Sequence, residues 1–309
     1  MTPHVVISLD FELRWGVADK LPDDPNAYRR NLEGEPEAVH GMLDYFTREG
    51  IGATWATVGA LACAGWDEYF DRAPPPPAYE DPREGFKPGW RKLDPQGRLH
   101  FAPDAVAAIA RTPGQELGSH TFSHICFREA GCRPEDVLAD SNTVAKAFRD
   151  KFGHAPTSFV FPRNQVSQTE ALKQAGIERW RTNPNVSCWN ATRREEQSRL
   201  VRGMRMFDSL APIGSRRAPS REMRASYLVR FPLNVRMWKL HVARIRGDAR
   251  RLRAGETLHL WWHPHNLGAD VKGSLNRLAE LVDVLRNAAP ADTRFLSMRD
   301  SGRDGAVAA

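Results

Sequence analysis

The stretch VVISLDFE (5–12) gives Val5, Val6, Ile7 and Leu9 as a nearly unbroken apolar run, then delivers two carboxylates, Asp10 and Glu12. An apolar run that does not alternate is the pattern of a strand covered on both faces, as in a parallel sheet. Working outward, the rhythm repeats. Residues 35–49 place Val39, Met42, Leu43 and Phe46 on one helical face, with Gly50 where a helix favours a left-handed terminal residue. IGATWATV (51–58), QELGSH (115–120), TSFVF (157–161), TLHLWW (257–262) and RFLSM (294–298) read as further strands. Between them, Asp104 is expected to cap a short helix over 105–110, and Pro134 to open a helix reaching about 151. Ser167 and Glu170 have capping-box spacing for a helix ending at Gly176, and Ser274 is expected to cap a helix carrying Leu278, Leu281 and Leu285 on one face. The last roughly ten residues read as frayed. Alternating strands and helices imply an α/β fold with a parallel sheet, open or closed into a barrel.

Two segments break the rhythm. Residues 63–100 hold Pro74–Pro77, scattered aromatics and no apolar period, and read as an inserted loop. Residues 199–253 carry fifteen Arg and Lys against three acids, a net of +12, whereas the remaining 29 basic and 35 acidic residues sum to −6. The chain's formal +6 is therefore a mildly acidic body plus one Arg-rich segment. Fourteen of those fifteen cations are Arg, the side chain suited to bidentate phosphate and carboxylate contacts. Such a segment is either a solvated basic surface or a patch for an anionic membrane or a phosphate-bearing substrate. Nothing in it resembles a nucleic-acid reader module, so no nucleic-acid partner is expected. The 309 residues are expected to form a single domain with insertions at about 63–100 and 199–253.

Mean hydropathy is −0.53 and no apolar run approaches ~18 residues, which excludes a membrane-spanning helix. MTPHVVISLD has neither a basic leader region nor a small-residue cleavage site, and no signal peptide is expected. The four cysteines form no CxxC pair. Free thiols and a cytoplasmic location follow as expectations.

The polar residues gather at the C-terminal ends of the expected strands, the edge where sites assemble in parallel α/β folds. Asp10 and Glu12, two apart, point to one face of a straight strand. One can ligate a metal while the other accepts a proton from water. His120 and His124 stand at i, i+4, the spacing at which two rings on a helical turn share a metal. Neutral imidazoles with a carboxylate suit zinc, with nickel, cobalt and iron left open. Arg163 follows SFVFP, as a residue to orient a carboxylate or to bind substrate. His263 and His265, in WWHPH, are competing proton donors, and either can serve a leaving amine.

Four stretches, in order, resemble the motifs of the polysaccharide deacetylase family, carbohydrate esterase family 4 with the NodB-homology domain: SLDFE (8–12), GSHTFSH (118–124), FVFPRNQ (159–165) and LHLWWHPH (258–265). ATWATVG (53–59) is similar to the family's second strand. The resemblance covers about 1–190 and 255–300. It implies a distorted (β/α) barrel of about seven parallel strands with inserted loops. It implies a divalent metal, zinc first, held by His120, His124 and Glu12. Asp10 becomes the general base, His263 the acid and Arg163 the residue that orients the base, with the roles of Asp10 and Glu12 exchangeable because Asp-Phe-Glu replaces the family's adjacent aspartates. Arg163 follows its proline where the family's arginine precedes it. Trp262, His265 and Asn164, flanking these motifs, are expected to touch substrate. The implied activity is removal of acetyl or formyl from an amino sugar, a phosphate- or lipid-linked precursor of surface polysaccharide or lipid-linked glycan, at the inner face of a membrane contacted through 199–253. The alternatives are a related amidohydrolase acting on a cyclic imide or ureide, and a catalytically silent carbohydrate-binding protein.

Overall fold

The computed structural model describes residues 2–17, 28–211, 216–220 and 222–306, with side chains described up to residue 302. Its strands are β1 (His4–Phe11), β2 (Ala53–Thr57), β3 (Gln115–Ser119), β4 (Ser158–Phe159), β5 (Arg179–Trp180), β6 (Ala218–Pro219), β7 (Tyr227–Leu228), β8 (Glu256–Trp262) and β9 (Arg294–Leu296). They form one sheet in the order β5-β4-β3-β2-β1-β8-β6, with β7 added to β8 and β9 to β1. Only the β6–β8 pairing is antiparallel. The sheet is a curled, mostly parallel half-barrel of the NodB type.

The apolar opening run explains why β1 lies at the centre. All eight of its residues are buried, and it pairs with β2, β8 and β9. The register sets Ser8 against Thr54 on one side and Trp261 on the other. Because these pairings are parallel, the C-terminal ends of β1, β2, β3 and β8 arrive at one edge. Helix Glu35–Glu49 covers one face through Val39, Met42 and Phe46, and Phe46 packs edge-on against both Trp55 and Trp262. Each such aliphatic or Phe side chain withdrawn from water stabilises the fold by about 1.5–3 kcal/mol. Gly50 ends the helix at φ 62°, a conformation glycine adopts without a Cβ penalty.

Several local expectations change. The short helix spans Pro103–Arg111 without a side-chain cap from Asp104. The helix after β4 is Thr169–Gln174, preceded by Gln168 at φ 53°, so Ser167 and Glu170 make no capping box. The Ser274 cap is also wrong: the helix begins at Val271, and Asp270 accepts from the Gly273 N–H. The C-terminal tail is not frayed through the described residues but helical over Met298–Ala306, and residues 307–309 lie outside them.

The two segments without rhythm are structured. In 63–100, Trp66 and Tyr69 of the helix Trp66–Arg72 pack with Phe86 and Trp90 around Trp15, the residue three beyond Glu12. In 199–253, β6 and β7 pair with β8, and helix Arg199–Leu210 packs on helix Val235–Ala249. Tyr227, Val229, Trp238 and Ile245 share the core cluster that holds β1. Several of the segment's arginines pair within it, among them Arg216 with Asp208, Arg224 with Glu222 and Arg251 with Asp248, and Arg217 reaches Glu256 just beyond it.

Candidate metal centre

Parity along β1 builds the site. Ser8, Asp10 and Glu12 alternate onto one face, and His259, Trp261 and His263 do the same along β8. Glu12 Oε2 lies 3.2 Å from His120 Nε2 and 3.3 Å from His124 Nε2. One ligand atom from each of Glu12, His120 and His124 falls within 4.8 Å of the others. His263 Nε2 stands 3.6 Å from Glu12 Oε1 and 3.8 Å from Asp10 Oδ2, with its side chain 21% exposed. Burial pushes the Glu12 carboxyl up, but His263, His120 and His124 together hold it well below the usual carboxylate range. Gly16 leaves room for that carboxylate, since a Cβ there would overlap it.

The two histidines do not converge on a helical turn. Residues 120–124 are a tight loop with Thr121 at φ 64° and His124 at φ 55°. The loop is held from outside: Gly59 and Ala60 donate N–H bonds to Thr121 and Phe122 carbonyls, and Asp140 accepts from Phe122 N at 2.6 Å and Ser123 N at 3.2 Å. Among the described residues, six of the seven non-glycine residues at positive φ, Leu13, Thr121, His124, Arg163, Asn164 and Gln168, lie in the segments leaving β1, β3 and β4. Left-handed backbone in L-residues costs free energy and persists where surrounding contacts over-determine it. Asp140→Ala strands two buried N–H donors, at about 1–3 kcal/mol each. We expect a loss of about 2–5 kcal/mol in denaturant unfolding with weakened metal uptake, and a milder effect for Asp140→Asn.

Asp10 has a different partner from the one expected. Arg181, fully buried just beyond β5, donates to Asp10 Oδ1 at 2.7 Å and Oδ2 at 2.8 Å. The same guanidinium reaches Ser8 Oγ and Asn164 Oδ1 and lies 4.2 Å from the centroid of the Trp261 ring. Burial alone raises the Asp10 carboxyl, and Arg181, helped by His263 and His120, offsets it, so the net direction is down. His259 approaches Ser8 Oγ at 2.9 Å, and burial with Arg181 nearby lowers it to about 3, so it stays neutral.

Two expected roles, those of Arg163 and Trp262, are therefore corrected. Arg163 is engaged by Glu84 and Glu129, and the arginine on Asp10 is Arg181. Asn164 accepts from Arg181 through its side-chain carbonyl. Trp262 is wholly buried against Phe46 and Phe231, on the opposite face of β8 from His263. His265 is buried, its ring centroid 5.0 Å from that of His263 and its carbonyl accepting from Asn31. Sequence reading missed Arg181, Asp140, Gly16 and Glu35. Glu35 is a buried carboxyl pushed well above its usual range by burial and by the Glu12 charge. A cleft of about 480 Å³ opens beside His124, walled by Trp90, Lys87, Arg163 and Arg194.

Residues 28–180 match the family model for polysaccharide deacetylase. The domain belongs to the polysaccharide deacetylase family. This deacetylase domain is similar in fold to a Mycobacterium smegmatis protein assigned as a polysaccharide deacetylase, at 13% identity and TM-score 0.56, covering 100% of this chain and 95% of that one. The Xyl-CE4 domain of a multidomain xylanase from the hindgut metagenome of Trinervitermes trinervoides aligns at 11% identity and TM-score 0.47, over 99% and 92% of the two chains. A CE4 family pseudoenzyme from Bacillus anthracis aligns at 8% identity and TM-score 0.46, over 96% and 63%. No curated protein matches the chain. The matched span contains His120, His124 and Arg163, while Asp10, Glu12, Arg181 and His263, outside it, are brought beside them by the sheet.

Proposed function

We propose that this polysaccharide deacetylase is a metal-dependent hydrolase that removes an N-acyl group, acetyl or formyl, from an amino sugar. The observation that carries the reading is the convergence of Glu12, His120 and His124 beside an Asp10 that Arg181 clamps on both oxygens. The donor set fits a divalent metal. His120 Nδ1 lies 2.8 Å from the Val160 carbonyl, which fixes a proton on that nitrogen and leaves Nε2 with a lone pair facing Glu12. Two imidazoles and a carboxylate favour zinc, the metal we assign. When bound, the metal supplies Lewis acidity toward the acyl carbonyl.

The remaining chemistry falls to side chains of this chain. Asp10, ionised and fixed by Arg181, takes a proton from the attacking water. His263, between both carboxylates and partly open to solvent, gives a proton to the amine as the C–N bond breaks, leaving the free amino sugar and acetate or formate. We propose a substrate carried on phosphate or lipid at the inner face of a membrane, with the excess of arginine in 199–253 as its support. The test is release of acetate or formate from free, nucleotide-linked and lipid-linked N-acyl amino sugars by the zinc-loaded protein. Absence of release from all three refutes the reading.

His263→Ala should leave metal content unchanged and lower kcat on the order of 10²-fold. This is the low end for a lost general acid, because the ring's partial exposure lets water deliver the proton instead. Full activity in His263→Ala together with an inactive His265→Ala would transfer the acid role to His265.

A further inference from the structure

Resting on the reading of a lipid-borne substrate, we infer that helix Arg199–Leu210, with the neighbouring helix Val235–Ala249, is the face by which this protein lies on an anionic phospholipid surface. Among the described residues, eight large hydrophobic side chains are exposed, and five of them sit on these two helices: Leu200, Met204, Phe207, Val235 and Leu240. Leu200 is 73% exposed and Phe207 62%. Positions 200, 204 and 207 follow helical spacing, so they form one stripe rather than scattered contacts. A groove of about 730 Å³ runs beside the stripe, lined by Leu200, Met204, Phe207 and Val186.

The charge around the stripe has a single sign. Every exposed charged residue of the two helices is a cation: Arg199, Arg202, Arg236, Lys239 and Arg246. The acids on these helices are used internally. Asp208 bonds Trp189 and Arg216, and Asp248 is buried on Tyr227 and the Arg216 N–H. A helix that is merely solvated mixes signs along its face. Bulky apolar residues flanked only by cations are the composition of an interfacial helix on anionic lipid. A second copy fits this face poorly, because a two-fold contact sets its cations against themselves.

The stripe is held out rigidly. Ser209 binds His241 through its carbonyl and Arg230 through its hydroxyl, and Arg205 donates to the Cys188 and Ala191 carbonyls. The face is also close to the chemistry. Trp189 packs on Trp261, and Trp261 stacks on the Arg181 that clamps Asp10.

The test is co-sedimentation with phosphatidylcholine vesicles, with and without phosphatidylglycerol, at low and high salt. We expect binding to the anionic vesicles that salt weakens. L200S/F207S should lose at least roughly tenfold in partitioning, from the lost apolar insertion. R199Q/R202Q should lose roughly fivefold per cation. Both variants should retain hydrolysis of a soluble N-acyl amino sugar. The inference is overturned by absence of anionic-vesicle binding in the unaltered protein, by equal binding of L200S/F207S, or by concentration-dependent self-association that F207S abolishes in place of vesicle binding. Vesicle binding by a protein that hydrolyses no amino sugar upholds this surface and removes the substrate reading alone.

Discussion

His120→Ala is expected to empty the site and to lower activity by about 10³–10⁵-fold, the several kcal/mol of transition-state stabilisation that a catalytic metal contributes. The reasoning begins with ligand count. Three protein atoms converge, and the orientation of His120 is fixed at both ring nitrogens, with Nδ1 on Val160 and Nε2 on Glu12. Loss of a partner behind a ligand costs about 10–100-fold in metal affinity, and loss of the ligand itself costs more. The fold should survive, because β3 ends before residue 120 and the loop stays tied by Asp140 and by Gly59 and Ala60. Elemental analysis should find the metal in the unaltered protein and not in His120→Ala, with matching circular dichroism. Chelation of the unaltered protein should reproduce the loss, and zinc should restore it. Full metal content and full activity in His120→Ala would falsify the assignment of the centre.

The limits of legibility are visible at the same residues. The run ending in Asp10 and Glu12 was readable because a strand buried on both faces has an unmistakable composition, and β1 does lie at the middle of the sheet. The His120 and His124 pair was readable as a spacing, but its geometry was not. Thr121 and His124 adopt left-handed backbone imposed by contacts from residues 59, 60 and 140, which no local pattern encodes. Arg181 escaped because β4 and β5 are two residues each, too short for periodicity to register, so the strand end that carries it was not recognised. Trp262 was assigned to substrate because a fully covered strand has no polar alternation to reveal its faces. Parity supplied the missing signal. If His263 faces the site, then Trp261 and His259 face it too and Trp262 turns to the core, as found.

Arg181→Met is expected to destabilise the protein by about 3–5 kcal/mol near neutral pH, the cost of leaving one member of a buried ion pair uncompensated. It should also depress activity more than His263→Ala does. The guanidinium makes four hydrogen bonds at once, two to Asp10 and one each to Ser8 and Asn164, and Arg181, Asp10 and Ser8 are all buried. Methionine fills the volume without supplying a donor. Asp10 then keeps the burial that raises its carboxyl and loses the contact that lowered it. The sign of the pH dependence follows from linkage. In the unaltered protein the depressed Asp10 contributes stability above its unfolded value of 3.8, and that contribution is lost as the pH falls. In Arg181→Met the carboxyl is raised, so relative stability is greatest in acid and is lost as the pH climbs through the new value. Denaturant unfolding across pH should show these opposite slopes, and the acid limb of the pH–rate profile should move upward because the base must now be deprotonated at higher pH. Arg181→Lys restores one charge without the fork that spans both oxygens, and should recover part of the stability and less of the rate. An Arg181→Met protein with unchanged pH–rate limbs would show that Asp10 is held in its ionised state by something other than this contact.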